Sequence, residues 1–373
     1  MAEIPAYYMR GGTSKGVFLL ADDLPTDAAE RDAVLLRVIG SPDPYGTHAD
    51  GMGGATCSTS KVALLRPSQR PDCDVDCLFG AVAIGERRID WSGHGADLSA
   101  AVGPFAIWRG FVPARDSITT VRIWQQGIGQ VFHAHVPCRN GHPFEDGDFR
   151  EDGVPFPAAE IVLDYLEPAT TLLPLCPTGN VVDTLDVPGM GRIEATLVTA
   201  GTPTVFVRAA DLGLDGTERP ERINSDTGLL AGLEAIRAKG AVAMGLAPDA
   251  QTATLERPAT PRIAWVAPPA GYRASTGASL AAAHIDVLRR SADPAFTGAD
   301  AIALAAAANL PDSVVHRAAV RSGSQTRIGH ASGILAVGAV TARRDGAWVM
   351  ERAVMSHGAR RLMTGLVHVP ERC

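Results

Sequence analysis

Lysine is almost missing from this chain. Lys15, Lys61 and Lys239 are the only three, and every other basic residue is an arginine. A basic excess is missing too: Lys and Arg total 34 against 41 Asp and Glu, a formal charge of −7. Nucleic-acid binding needs a basic face to neutralise phosphates, so no nucleic-acid partner is expected. The most apolar stretch, Ala301–Leu310, is mostly alanine and far too short to span a bilayer, which argues against a membrane role. The start, Met1-Ala2-Glu3-Ile4-Pro5, lacks the basic and apolar regions of a signal peptide. Cysteines are few, and Cys57, Cys73, Cys77, Cys138, Cys176 and Cys373 have no disulfide-framework spacing. A cytoplasmic location is the expectation. Aromatic residues make up only 5%, whereas 39 Gly and 26 Pro imply frequent turns. What remains is an ordinary globular composition, long enough at 373 residues for two cores.

Two features recur in the same order. Gly12-Thr13-Ser14-Lys15-Gly16-Val17-Phe18-Leu19-Leu20-Ala21-Asp22-Asp23-Leu24 is echoed by Gly201-Thr202-Pro203-Thr204-Val205-Phe206-Val207-Arg208-Ala209-Ala210-Asp211-Leu212. Gly93-His94-Gly95-Ala96-Asp97-Leu98 and its alanine-rich continuation to Gly103 are echoed by Gly329-His330-Ala331-Ser332-Gly333 and its continuation to Gly338. The ordered pair points to duplicated halves, 1–187 and 188–373, with turn-rich linker sequence at Pro174–Asn180 and Val187–Gly191. Strand patterns cover 61–65, 121–124, 131–136, 161–165, 193–198, 263–266 and 348–353. Helical patterns cover 28–39, 98–108, 229–239, 278–290 and 300–309. Strands following one another without regular helix alternation predict an α+β fold with mostly antiparallel sheets.

The scarcity of lysine gives weight to the two that sit in loops of small residues, because Lys can release a proton where Arg cannot. Met9-Arg10-Gly11-Gly12-Thr13-Ser14-Lys15-Gly16 lacks the spacing of a nucleotide phosphate loop. Its N–H groups, hydroxyls and Lys15 suit a carboxylate, although a plain turn explains them equally. Gly51-Met52-Gly53-Gly54-Ala55-Thr56-Cys57-Ser58-Thr59-Ser60-Lys61 runs straight into the apolar Val62-Ala63-Leu64-Leu65. An amine at the mouth of a core strand is placed to act as a general base. Cys57 is either a second acid/base or a buried, inert thiol. Cys73-Asp74-Val75-Asp76-Cys77 reads as half-buried alternation, and His133 with His135 lacks a third ligand, so no metal is expected. Each Gly-His landmark precedes an Ala/Val-rich segment, and helices there would put an anion-binding N-terminus near His94 and another near His330.

These residues resemble the PrpF family, the 2-methylaconitate cis-trans isomerases of propionate breakdown, whose relatives include oxalomesaconate tautomerases and methylitaconate or aconitate Δ-isomerases. The resemblance spans nearly the whole chain. It runs through residues 9–16, 50–61, 90–93, 99–103 and 177–180, and through Arg327-Ile328-Gly329-His330-Ala331-Ser332-Gly333. It implies a diaminopimelate-epimerase-like fold of two similar halves, each a mostly antiparallel sheet or barrel around a central helix. It implies a cofactor-free site that takes a small di- or tricarboxylate, and a chain that can form a homodimer. Lys61 matches the family's proton-transferring lysine. Arg10, Gly12, Thr13, Ser14, Lys15, Gly54, Ser60, Thr202, His330, Ser332 and Gly333 are the expected substrate-binding residues.

The sequence departs from the family at two telling places. The family usually carries Asn-Cys-Gly-Asn after Ser-Gly, with the Cys as a partner acid/base. Here the stretch reads His94-Gly95-Ala96-Asp97, so Gly95 stands where the thiol would be. A His-His pair common in the family is also replaced, within Asp293-Pro294-Ala295-Phe296-Thr297. Three readings follow: an isomerase using Lys61 with His94 or Cys57 as second proton handler, the same fold with a shifted substrate, or a non-catalytic paralogue that binds a carboxylate or a partner protein.

Overall fold

The computed structural model describes residues 2–91, 95, 97–166, 173–258, 260–291, 298–320 and 323–370. The chain packs as two units, one of Met1–Leu166 with Ser356–Cys373 and one of Glu167–Met355. The fold is α+β. No helix among the described residues is long and apolar enough to cross a membrane.

In the first unit, β1 (Ala2–Gly11) and β2 (Ser14–Leu20) form an antiparallel hairpin whose turn is Gly12–Thr13. Helix α1 (Ala28–Ile39) starts where the Asp27 carboxylate accepts the N–H groups of Ala29 and Glu30, and it ends at Gly40 in the left-handed region. It returns the chain to β3 (Lys61–Pro67), which lies parallel to β2 with Lys61 opposite Gly16. β4 (Val75–Val82) pairs antiparallel with β3 and takes the short β5 (Ile89–Asp90). A single 3-10 turn at Leu98–Ala101 runs into α2 (Val102–Trp108). β6 (Ser117–Gln125) lies parallel to β4, and β7 (Gln130–Arg139), β8 (His142–Pro143) and β9 (Glu160–Leu166) follow antiparallel. Helix α2 is buried from Val102 to Ile107, as a helix apolar on every side must be. Gly103 lets it close on β7, since a Cβ there would lie 2.5 Å from a Val136 methyl.

In the second unit, β10 (Asp183–Val187), β11 (Gly191–Val198) and β12 (Thr204–Arg208) form an antiparallel run. Helices α3 (Pro220–Ser225), α4 (Thr227–Ala243) and α5 (Ala250–Glu256) lead to β13 (Arg262–Ala267), parallel to β12. A small hairpin of β14 (Tyr272–Arg273) and β15 (Ser279–Leu280) precedes β16 (Val287–Arg290), antiparallel to β13. Helix α6 (Gly298–Ala308) is buried at every residue, and α7 (Val314–Ala318) follows it. β17 (Gln325–His330) lies parallel to β16. β18 (Gly333–Arg344) and β19 (Ala347–Val369) continue antiparallel, and the far end of β19 pairs with β1.

Two expectations from sequence fail. Residues 278–290 are a short strand, a 3-10 turn and β16, not a helix. Val287 to Arg290 are all buried and take their extended form from pairing with β13 and β17, which the local pattern of 278–290 does not report. The segment after His330 is β18, not a helix, and His330 pairs with Gly333 across a tight hairpin. β-branched Ile334, Val337, Val340 and Thr341 there favour an extended chain.

Candidate active site

Strands β2 and β3 bring the first loop and the lysine together. The Lys61 ammonium donates to Ser14 Oγ at 3.1 Å, with Ser14 buried and Lys61 half-buried. Gly16 permits the approach, because a Cβ there would sit 2.6 Å from the Lys61 carbonyl. Among the described residues no carboxylate forms an ion pair with Lys61.

The rest of the first loop is tied down from several sides. Arg10 Nη1 donates to the Gly12 carbonyl at 2.9 Å and the Gly358 carbonyl at 3.1 Å, and Gly12 N–H donates to Gly358 O at 2.9 Å. The Thr13 hydroxyl donates to Asp97 Oδ2 at 2.9 Å. Lys15 N–H reaches Ser58 O, joining the two loops, and its ammonium lies 5.3 Å from the Tyr8 ring centre.

Loop 50–60 is built around a histidine that sequence reasoning missed. His48 is buried, and its Nδ1 accepts from Ala55 N–H at 3.2 Å and lies 3.1 Å from Ser60 Oγ. The Ala55 contact places the neutral ring's hydrogen on Nε2, which faces Ser41 Oγ at 3.2 Å. Ser60 is fully buried and also accepts from Gly54 N–H at 3.3 Å, so it holds the loop together from inside. The N–H groups of Gly51, Met52, Gly53 and Gly54 all reach backbone carbonyls. Those of Thr56, Cys57 and Ser58 have no acceptor among the described residues. Cys57 is exposed, which removes the reading of it as a buried, inert thiol.

His94 lies outside the described residues, as do Ser92, Gly93 and 292–297. Gly95 is described, and it is more than a truncated cysteine. Its φ is +62°, and a Cβ would stand 2.2 Å from the Phe79 ring.

In the second unit the expected residues are not all together at a helix start. The His330 imidazole is held neutral, its pKa depressed to about 3 by burial and by the Arg289 and Arg290 charges. Tyr272 OH donates to the Gly333 carbonyl at 2.7 Å and to that of His330, which pins the hairpin. Ser332 N–H points at His330 Nδ1 from 3.4 Å. A helix start that does adjoin a predicted loop is that of α6: a Cβ on Gly201 would lie 2.4 Å from the Ala299 carbonyl. Thr202 accepts from the Thr204 hydroxyl through its carbonyl, at 2.8 Å. The buried Asp300 carboxylate in the first turn of α6 pairs with Arg262 at 3.2 Å.

The family model described as PrpF protein matches residues 1–370. The chain belongs to the PrpF family. A 2-methyl-aconitate isomerase of Shewanella oneidensis is 48% identical, over 99% of this chain and 97% of that protein. The crystal structure of a methylitaconate-delta-isomerase is 37% identical with a TM-score of 0.85, covering 98% of this chain and 95% of that one. A probable proline racemase from Agrobacterium radiobacter K84 shares the fold at 14% identity and a TM-score of 0.51, over 99% and 93% of the two chains.

Like the first two of these relatives, the chain is an isomerase. Its first unit offers a lysine with no carboxylate ion pair among the described residues, a buried hydroxyl in contact with it, and a turn whose N–H groups meet no acceptor among the described residues. Those donors suit an anion.

Proposed function

We propose that this protein isomerises an unsaturated di- or tricarboxylate of the 2-methylaconitate type without a cofactor, with Lys61 as the proton-transferring base. The observation that carries this reading is the Lys61–Ser14 contact at 3.1 Å. Neutral Lys61 removes a proton from the carbon allylic to the alkene and conjugated through it to a carboxylate. The electron pair moves into the conjugated system as a dienolate, and the proton returns after rotation or at the other terminus. Ser14 Oγ accepts a hydrogen bond from the ammonium formed in between. The N–H groups of Thr56, Cys57 and Ser58 hold the carboxylate on which charge grows, and Arg10, Thr13, Lys15 and Gly54 complete the set assigned to substrate binding. Cys57 thus contributes an N–H donor, and its exposed thiol is a candidate second proton handler beside His94.

We also propose that the chain is a duplication dividing at 187/188, with α2 and α6 as equivalent central helices. Support comes from pairing order: β2–β3 and β12–β13 are parallel, as are β4–β6 and β16–β17. The same buttress recurs in each set. Asp74 accepts the Arg122 N–H at 2.8 Å and its guanidinium at 2.7 Å, and Asp286 does the same with Arg327 at the same distances.

A shifted substrate is the second reading, favoured by Gly95, whose backbone and Phe79 neighbour leave no room for the family's thiol. Proton NMR in deuterated water decides between them, with 2-methylaconitate, trans-aconitate and oxalomesaconate offered to the wild type and to Lys61→Met. Conversion or deuterium uptake lost in the variant supports the reading, and the best substrate names the reaction. Turnover that survives Lys61→Met overturns the lysine base.

A further inference from the structure

Directly behind the Gly12–Ser14 turn lies a buried acid–base pair that the reaction above does not use. His357 Nδ1 stands 2.6 Å from Glu151 Oε1, and both side chains are almost wholly removed from solvent. The other oxygen, Glu151 Oε2, accepts the Gly358 N–H at 3.1 Å. Gly358 in turn offers its carbonyl to Gly12 N–H and to Arg10, whose guanidinium also holds the Gly12 carbonyl. Both backbone groups of Gly12 are therefore fixed by residues that Glu151 organises. Two positions on, Ser14 meets Lys61.

The packing around this point has no slack. Gly12 has φ +53°, and a Cβ there would meet Asp97 Cβ at 3.0 Å, His357 Nδ1 at 3.1 Å and Glu151 Oε1 at 3.2 Å. The charged groups facing His357 are Glu151 from segment 144–159, Asp97 at the start of the 98–108 helical segment, and Arg10 from β1. With His357 protonated, two cations face two carboxylates. With it neutral, Glu151 loses the cation in contact with its Oε1.

We propose that His357 and Glu151 form the positioning element of the catalytic turn, clamping Gly358 and through it Gly12–Ser14 against Lys61, and that the clamp is closed when His357 carries a proton. His357 touches no substrate in this scheme; it acts through the turn. Burial by itself would lower the imidazole's pKa, but the hydrogen bond and charge of Glu151 and the charge of Asp97 outweigh it and raise the pKa. The clamp therefore opens only at a pH above that at which an ordinary imidazole loses its proton. The proposal rests on Lys61 as the base, and its test is chosen to separate the two.

The near absence of lysine supplies the probe. Protein grown on lysine carrying 13C at Cε gives three signals, and Lys61→Met assigns the one that matters. The ligand-free wild type should show the Lys61 signal responding to a second titration whose midpoint lies above the ordinary histidine value of about 6.5. Glu151→Gln should move that midpoint to lower pH, and His357→Gln should abolish it. In turnover of 2-methylaconitate, kcat should fall along the same alkaline limb, with KM changed less than about twofold; His357→Gln should remove the limb and lower kcat about tenfold, as for loss of one charged hydrogen bond. A Lys61 signal that titrates identically in all three proteins overturns the proposal, as does an alkaline limb retained in His357→Gln. If no carboxylate is turned over, the isomerase reading fails, while the ligand-free Lys61 titration still decides the clamp.

Discussion

Lys61 and Ser14 face each other across a parallel strand pair, ammonium to hydroxyl at 3.1 Å, at a point where the neighbouring Gly16 lets the two backbones close. The contact gives the amine a neutral acceptor on one side, and no carboxylate among the described residues pairs with it. Lys61→Arg keeps the cation but cannot give up its proton at neutral pH, so it should be as inactive as Lys61→Met. Ser14→Ala removes one hydrogen bond to a charged group and should lower kcat about ten- to a hundredfold. Steady-state kinetics with deuterium uptake as a second readout checks both. An active Lys61→Arg would mean that Lys61 serves as a fixed charge and some other group moves the proton.

Gly95 gives a prediction about the missing thiol. Restoring the family's residue as Gly95→Cys places a Cβ in the Phe79 ring and an L side chain at φ +62°. It should destabilise the fold by about 2–4 kcal/mol and should not raise activity. Urea unfolding and the isomerase assay test the two halves of this statement. A Gly95→Cys protein that is as stable as wild type and faster would show that the thiol site survives here.

Two histidines should tilt stability in opposite directions with pH. His330 has its folded pKa depressed to about 3, so the unfolded chain takes up a proton below about 6.5 that the folded one refuses. Stability from its burial is lost as pH falls from about 6.5 toward 3, and His330→Gln should flatten that acid slope. His357 has its pKa raised by Glu151 and Asp97 against burial, so its contribution is complete below about 6.5 and is lost as pH rises through the folded midpoint. His357→Gln should flatten the alkaline slope alone. Urea midpoints measured from pH 5 to pH 9 separate the two.

How much of this was legible in the sequence depended on whether the signal was local. The apolar period of 28–39 marked α1, and the alanine run of α6 read as a helix because each residue alone favours one. The Lys61 and Ser14 loops were legible because lysine is scarce and small residues crowd both. β16 was not, since Val287 to Arg290 owe their conformation to β13 and β17 on either side. His330 misled for a related reason: its resemblance to the stretch at His94 is one of letters, whereas β18 takes its shape from pairing with β17 and β19. His48, Glu151 and His357 escaped notice altogether. Nothing in spacing tells that residues 151 and 357 meet, and His48 sits in a loop without periodicity.

The paired buttresses Asp286–Arg327 and Asp74–Arg122 differ in one respect that sets their weight. Each aspartate precedes a strand and ties it to its parallel neighbour through a backbone N–H and a guanidinium. Asp286 is completely buried, whereas the Asp74 side chain is 22% exposed. Asp286→Ala leaves a buried N–H unsatisfied and frees the partly exposed Arg327, so it should cost about 2–4 kcal/mol. Asp74→Ala lets water replace part of what is lost and should cost about 1–2 kcal/mol. Urea unfolding of the two single variants gives the order directly. Asp74→Ala costing as much as Asp286→Ala would mean that the burial difference between the buttresses is not what sets their strength.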